Sequence, residues 1–487
     1  MLVFRIKLND KLMKKYNKIA VFLLLAGVAG MSQSCKKYFD LNDNPNQVQQ
    51  PPLSAMLSTA THKAGLNGQR IASFNTYYSQ YLASPSGGNA TDTYQITNNA
   101  TQWNAAYYAM ADLHDMIARA ESTGATEHLG VGQLLMAYTL GLVADTWGSA
   151  PYSDAFGTTG VLTPKYDSEE SLYQTSMGLI NESIANLQKT TATTKLDPAS
   201  DLIHGGDREA WLKTAYGIQA RFLNKISKKA SYSPAAVLSA VQNSYVSNDD
   251  DAGMSVFSGI NPWAQLAVSN AGNLLGGWLS ENYMDHMNGT KYGVVDPRVK
   301  KITDPTITGT YKGTRNGAGN LGPAANTVHD ETYVSLNSPL TTRTSPLYVL
   351  NYFELKFIES EAAFRSGDIP RAYTAYLAGI TASMDKFEVA PAERDAYLNN
   401  PVVSVGAANL TLALIFKEKY AAMYLSPESW NDVRRFDYNY KDFKLPEGAV
   451  LSNPIRRVAY PSDERSKNGS NVPADVSLDT PLWWDKP

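Results

Sequence analysis

The chain has 487 residues, with 43 Lys and Arg against 46 Asp and Glu, and removing residues 1–34 would take away six basic residues and one acidic one and leave a formal charge of −8. That balance excludes a protein that holds nucleic acid or an anionic surface by bulk charge. The single cysteine excludes an intramolecular disulfide, while 29 Tyr and 8 Trp against 14 Phe supply many rings that combine a flat apolar face with a polar tip.

At the N-terminus Lys14, Lys15 and Lys18 precede an unbroken small and apolar run over residues 19–30. As a helix this run would rise about 18 Å, well short of a hydrocarbon core of about 30 Å, so it reads as a secretory signal peptide and not as a spanning segment. Met13, just before the charged region, reads as the start. The run closes on Ser32-Gln33-Ser34-Cys35, which resembles a bacterial lipoprotein signal whose cysteine becomes the acylated terminus. Residues 1–34 are then the signal and Cys35 the lipid anchor; the plain alternative is an unused thiol. Residues 35–52 are rich in Asp, Asn, Gln and Pro and read as a tether, with folding beginning near Leu53.

Helical periodicity then recurs in pairs. Trp103, Tyr107, Met110, His114 and Ile117 keep 3-and-4 spacing, Gly124 interrupts it, and Leu129, Met136, Leu140 and Val143 resume it. Asp167 and Glu170 form a capping-box pattern ahead of Tyr173, Met177, Ile180, Ile184 and Leu187, and the partner stripe is Trp211, Ala215, Ile218, Phe222 and Ile226. A third pair runs through Leu350, Phe353, Phe357 and Phe364, turns at Gly367-Asp368, and restarts at Pro370 with Tyr373, Leu377, Ile380 and Met384. Ala372 and Tyr376 echo the small-to-aromatic spacing of tetratricopeptide repeats. A fourth has Leu412, Phe416, Tyr420 and Met423, then Ser426-Pro427-Glu428. The expected fold is mainly α: a tetratricopeptide-like scaffold of helical hairpins near residues 100–145, 167–230, 348–385 and 410–436. A long irregular insertion at 246–346 is rich in Gly, Asn, Pro, Ser and Thr, and residues 73–99 share its character. These two stretches are the candidate working face.

Short motifs carry little. Gly317-x-Gly319-x-x-Gly322 lacks the flanking strand and helix that a dinucleotide site needs, so it reads as a flexible loop. Residues 248–251 offer Asp249 and Asp251 as calcium ligands, yet without the bidentate glutamate of an EF-hand; a solvated acidic turn is the simpler reading. No two of the six histidines stand three or four residues apart, so a helical zinc pair is absent. Glu359 and Glu361 point about 200° apart on a helix and read as surface charge and not as a glycosidase pair. No catalytic residue, metal or cofactor is assigned.

Among the aromatics of the two loop-rich stretches, Trp263 and Trp278, with Tyr94 and Tyr311, are the candidate platforms for sugar rings. Asn89, Asn320 and Arg315 are the hydrogen-bonding partners between them. For any one of these rings, packing in the core is the competing role.

Several longer blocks point the same way. The segments Val143-Ala144-Asp145-Thr146-Trp147-Gly148-Ser149-Ala150-Pro151-Tyr152, Glu418-Lys419-Tyr420, Glu428-Ser429-Trp430-Asn431-Asp432-Val433-Arg434-Arg435 and Tyr460-Pro461-Ser462-Asp463-Glu464-Arg465 resemble, in order, the signatures of the SusD/RagB family of surface glycan-binding lipoproteins. Asp296-Pro297-Arg298 and Leu482-Trp483-Trp484-Asp485 fit as well. The resemblance spans the mature chain, residues 53–487 forming the SusD-like domain. It implies an outer-membrane, cell-surface lipoprotein of Bacteroidetes type that captures an oligosaccharide for a SusC-like TonB-dependent transporter and catalyses nothing itself. Two readings from other classes stay open: a surface glycoside hydrolase, and a tetratricopeptide-type scaffold that binds protein.

Overall fold

A computed structural model describes residues 51–157, 160–271, 276–322 and 329–487. The chain divides into Met1–Pro52 and Leu53–Pro487. The segment expected to be a signal, the expected anchor Cys35 and nearly all of the expected tether fall outside the described residues. The second unit is mainly α, with fifteen α-helices and only two short two-stranded sheets among the described residues.

Ten helices build the frame and the site. They are α1 (Leu53–Tyr78), α2 (Ala100–Thr123), α3 (Thr126–Trp147), α4 (Glu169–Leu187), α5 (Arg208–Lys225), α6 (Glu281–Met287), α7 (Tyr352–Ser366), α8 (Ile369–Lys386), α9 (Leu412–Ala422) and α10 (Glu428–Arg435). The turns follow local chemistry. Gly124 adopts φ 69° after α2, and its N–H returns to the carbonyls of Ala120 and Glu121, a left-handed cap that a side chain would strain. Gly367 does the same after α7 at φ 83°; Asp368 then caps α8 by accepting from the Arg371 N–H, and Pro370 sits in the first turn. The second pair departs from the capping-box expectation. Ser168, not Asp167, caps α4, and Asp167 instead accepts from the backbone of Tyr152 and Ser153 at 2.8 and 2.9 Å.

Helix α3 is the axis of packing. It is long and apolar enough to cross a membrane, yet 89 % of its apolar window is buried inside the fold, which makes it a core helix. Two of its glycines admit neighbours: a Cβ on Gly130 would stand 2.6 Å from Leu187 of α4, and one on Gly141 would stand 2.6 Å from Phe222 of α5.

Charges are buried beside it. Arg221 of α5 grips Glu354 of α7 with two bonds of 2.7 and 2.8 Å, and Arg435 of α10 grips Glu361 of α7 with two bonds of 2.8 Å. Lys225 pairs with Asp145 of α3, Lys419 of α9 pairs with Asp432 at 2.7 Å, and Asn431 bridges Asp145 and Glu428. Glu361 is therefore not surface charge: it is 1 % exposed, and Arg435 holds its carboxyl far below the usual carboxylate range against the opposing effect of burial. Glu359, on the opposite face of α7, is also largely buried, at 9 % exposed, and pairs with Lys356 and Arg371. A second buried cluster joins Arg298, Asp296, Lys417, Glu418 and Tyr397.

The loop-rich insertion is more ordered than its composition suggests. It contains strands β2 (Ala252–Met254) and β3 (Trp278–Leu279), the helix Pro262–Ala271, α6, and a single turn at Val299–Ile302. Likewise residues 73–78 belong to α1 and not to a loop. Strand β1 (Leu82–Ala83) pairs antiparallel with β3, and β2 pairs with β4 (Leu347–Leu350).

The frame makes one mutational expectation. Replacing Arg435 by Met leaves buried Glu361 with only Arg365 and the Asn224 amide and takes one cation from Asp432, which should cost about 3 kcal/mol in chemical denaturation. A loss under about 1 kcal/mol would show that the pair does not hold the frame.

Candidate functional site

The β1–β3 pairing, Leu82 opposite Leu279 and Ala83 opposite Trp278, brings the two loop-rich stretches side by side. Asp92 then fastens them. Its buried carboxylate accepts from the Ser84 N–H at 3.1 Å, from the Gly317 N–H at 2.7 Å and from the Asn316 amide, while burial pushes the carboxyl up. The backbone adds bonds between Gly88 and Gly317 and between Asn320 and Pro85, each 2.8 Å. Residues 445–450 close the group: the Glu447 N–H donates to Asn316 at 2.8 Å and the Val450 N–H to Thr93 at 3.0 Å.

This explains the glycine motif. Gly317 adopts φ 83°, and a Cβ there would lie 2.0 Å from the Glu447 carbonyl; Gly319 at φ 79° would press to 2.4 Å from the Gly87 nitrogen. The glycines permit close backbone packing. The flexible loop expected from the sequence is a tight junction.

Beside the junction opens a cleft of about 570 Å³, walled by Gln80, α6, residues 290–291, Arg315, Asn316 and residues 442–447. That is the size range of ligand pockets. Among the described residues its walls carry mostly polar side chains, with Leu445 the one aliphatic among them. Helix α6 starts at the Ser280 cap and presents Glu281, Asn282 and Asp285. Arg315 is 52 % exposed and stands 3.5 Å from Glu281 and 3.7 Å from Glu447. Deeper in, the Lys291 ammonium donates to the Asn282 side-chain carbonyl, and the Asn282 amide donates to the Tyr420 hydroxyl at 3.1 Å. Burial pushes Lys291 down to about 8 against the pull of Asp285, Asp442 and Glu281. Burial and the neighbouring Glu281 raise Asp285. The arrangement offers fixed donors and acceptors at a mouth open to solvent, suited to a hydroxyl-rich ligand.

Of the residues singled out in the sequence, Arg315 alone lines this cleft. Trp278 is wholly buried in β3 with Tyr333 6.0 Å away, and Tyr94 is wholly buried edge-on to Tyr78. Trp263, 5 % exposed, lies on the helix Pro262–Ala271 against a small apolar recess beside α1. These three rings are core, and none can stack on a ligand in this conformation. Tyr311 is half-buried, its carbonyl accepting from Asn288 at 2.8 Å. Asn89 and Asn320 belong to the neighbouring junction, where their side chains turn the backbone by accepting from Thr91 and from Gly322. The calcium reading of Asp249 and Asp251 fails on partners. Asp251 accepts from the Tyr352 N–H at 2.6 Å and pairs with Lys386 at 2.8 Å, and the described residues contain no cluster of three or more metal-ligating side chains.

The sequence reading missed Gln80, Glu281, Asn282, Asp285, Lys291, Asn316, Asp442, Lys444 and Glu447. The Glu281-Asn282-x-x-Asp285 spacing, one face of one helix, was the only local signal.

A family model described as "Starch-binding associating with outer membrane" (SusD-like_2) matches residues 45–461. Among solved structures, the chain is similar to a SusD/RagB family protein from Bacteroides thetaiotaomicron (21 % identity, TM-score 0.73, covering 90 % of this chain and 99 % of that one). It is also similar to a chitin-binding SusD homolog from Flavobacterium johnsoniae (20 %, 0.75, 89 % and 98 %) and to a SusD homolog from Bacteroides fragilis (19 %, 0.74, 90 % and 100 %). At these identities the likeness shows the fold. A search of curated protein sequences gave no match.

The environment of Lys291 can be checked without any ligand. Competitive amine labelling across pH should give Lys291 a midpoint near 8, where exposed lysines titrate near 10.4. A midpoint above 10 would mean that the ammonium is not desolvated by this cleft.

Proposed function

The chain belongs to the SusD/RagB family, whose members bind glycans at the outer membrane, and from that premise we propose that it captures an oligosaccharide at the cell surface in the cleft beside α6. The family match over residues 45–461 carries this reading. The cleft supports it, because amides, carboxylates and cations held by α6 and by the junction loops can hydrogen-bond sugar hydroxyls in pairs. Reversible capture for import needs a dissociation constant of only about 1 μM to 1 mM, or about −8 to −4 kcal/mol.

In this proposal the chain is held to the membrane through acylated Cys35 once residues 1–34 are removed, the tether to residue 52 precedes the SusD-like domain at 53–487, and the ligand passes uncleaved to a SusC-like TonB-dependent transporter. Arg315, Lys291 and Asn282 are the ligand contacts in place of the four aromatic residues, and Asn89 and Asn320 shape the loops behind them.

A glycan array of the mature protein that includes malto- and chito-oligosaccharides should return binders, and Arg315→Ala should weaken the best of them at least tenfold with the thermal midpoint unchanged. Unchanged affinity would place the site elsewhere, and release of reducing ends by the pure protein would replace capture with hydrolysis.

Mild detergent extraction of outer membranes should recover the chain with a β-barrel partner and with the mass of an acylated terminus at Cys35. Recovery alone, or an unmodified terminus, would remove the delivery step.

A further inference from the structure

The composition of the cleft wall bears on which glycans it admits, an inference that rests on the glycan-capture reading above. Its ionisable side chains are four carboxylates, Glu281, Asp285, Asp442 and Glu447, and three cations, Lys291, Arg315 and Lys444. Arg315 and Lys444 are both exposed, and Arg315 lies between two of the carboxylates, 3.5 Å from Glu281 and 3.7 Å from Glu447. Lys291 is 7 % exposed and commits a proton to Asn282. Asp285 and Asp442 attract Lys291 through the cleft, and Lys444 also acts on Asp285. Among the described residues no aromatic ring lines the cleft, so hydrogen bonding would have to take the place of ring stacking on a sugar.

A polyanionic glycan gains affinity by meeting a surplus of cations, and it pays twice when it must set its own carboxylates or sulfates against those of the wall. Here the surplus is of the wrong sign. A neutral chain meets the opposite situation: each carboxylate can accept from a pair of hydroxyls, while the Asn282, Asn316 and Gln80 amides offer both donors and acceptors. We propose that the cleft selects neutral glycans, recognised through their hydroxyl groups, and excludes uronate-bearing and sulfated ones.

The test measures binding of the intact mature protein to neutral malto-, cello- and chito-oligosaccharides and to oligogalacturonate, alginate and chondroitin sulfate oligosaccharides. Binders should fall in the neutral set, with at least a tenfold preference at 20 mM salt that narrows at 500 mM, since screening shortens the reach of the wall charges. The Glu281→Gln/Glu447→Gln double variant should narrow the preference at low salt as well, and circular dichroism confirms that it is folded. An anionic oligosaccharide bound as tightly as the best neutral one, or a preference indifferent to salt, would overturn the charge selection and leave glycan capture standing. Absence of binding to every glycan would overturn both.

Discussion

The fold depends on pairing its buried charges. Asp145, Arg221, Lys225, Glu354, Glu361, Lys419, Glu428, Asp432 and Arg435 are each under 10 % exposed, and an unpartnered charge at such a depth is far costlier than any single apolar contact is favourable. Each therefore dictates where its partner's helix must lie. Arg435 and Glu361 set α10 on α7, Arg221 and Glu354 set α5 on α7, and Lys225 and Asp145 set α5 on α3. Apolar burial drives the collapse, whereas the ion pairs fix the register.

The same pairing reaches the cleft. Helix α1 ends at Tyr78 beside Trp430 of α10, their rings 5.1 Å apart, so the position of Gln80 follows from that of α10. Tyr420 of α9 donates to the Ser79 and Gln80 carbonyls and accepts from Asn282, joining the charged frame to the floor of the cleft. Asp92 and its three donors fix the remaining wall. Binding surfaces built on such supports lose little entropy when they meet a ligand. That suits the reversible glycan capture proposed for the cleft.

The legible parts of the sequence were those decided locally. Gly124 and the Gly367-Asp368-Pro370 run stop and start helices by their own backbone chemistry, and the structure uses them so. Glu361 was misread because its partner Arg435 is seventy-four residues away, and spacing on one helix cannot distinguish a solvated glutamate from one facing a distant guanidinium. Trp278 and Tyr94 were misread for the related reason that Gly- and Asn-rich surroundings suggest exposure, while the β1–β3 pairing buries Trp278 and packing against Tyr78 buries Tyr94. The cleft itself joins Glu281, Arg315 and Glu447, whose proximity arises only once the glycine junction has closed. The blocks around Asp145 and Arg435 hold the buried ion pairs and contribute no residue to the cleft wall.

The central claim is that the polar cleft beside α6 is where the glycan sits, and a crystal structure of the protein soaked with its best array ligand tests it most directly. The account predicts sugar hydroxyls within hydrogen-bond distance of Arg315, Asn282 and Lys291, with Trp263, Trp278 and Tyr94 still buried. A sugar stacked on any of those three rings, or seated on the outer faces of the helical hairpins with the cleft empty, would contradict it.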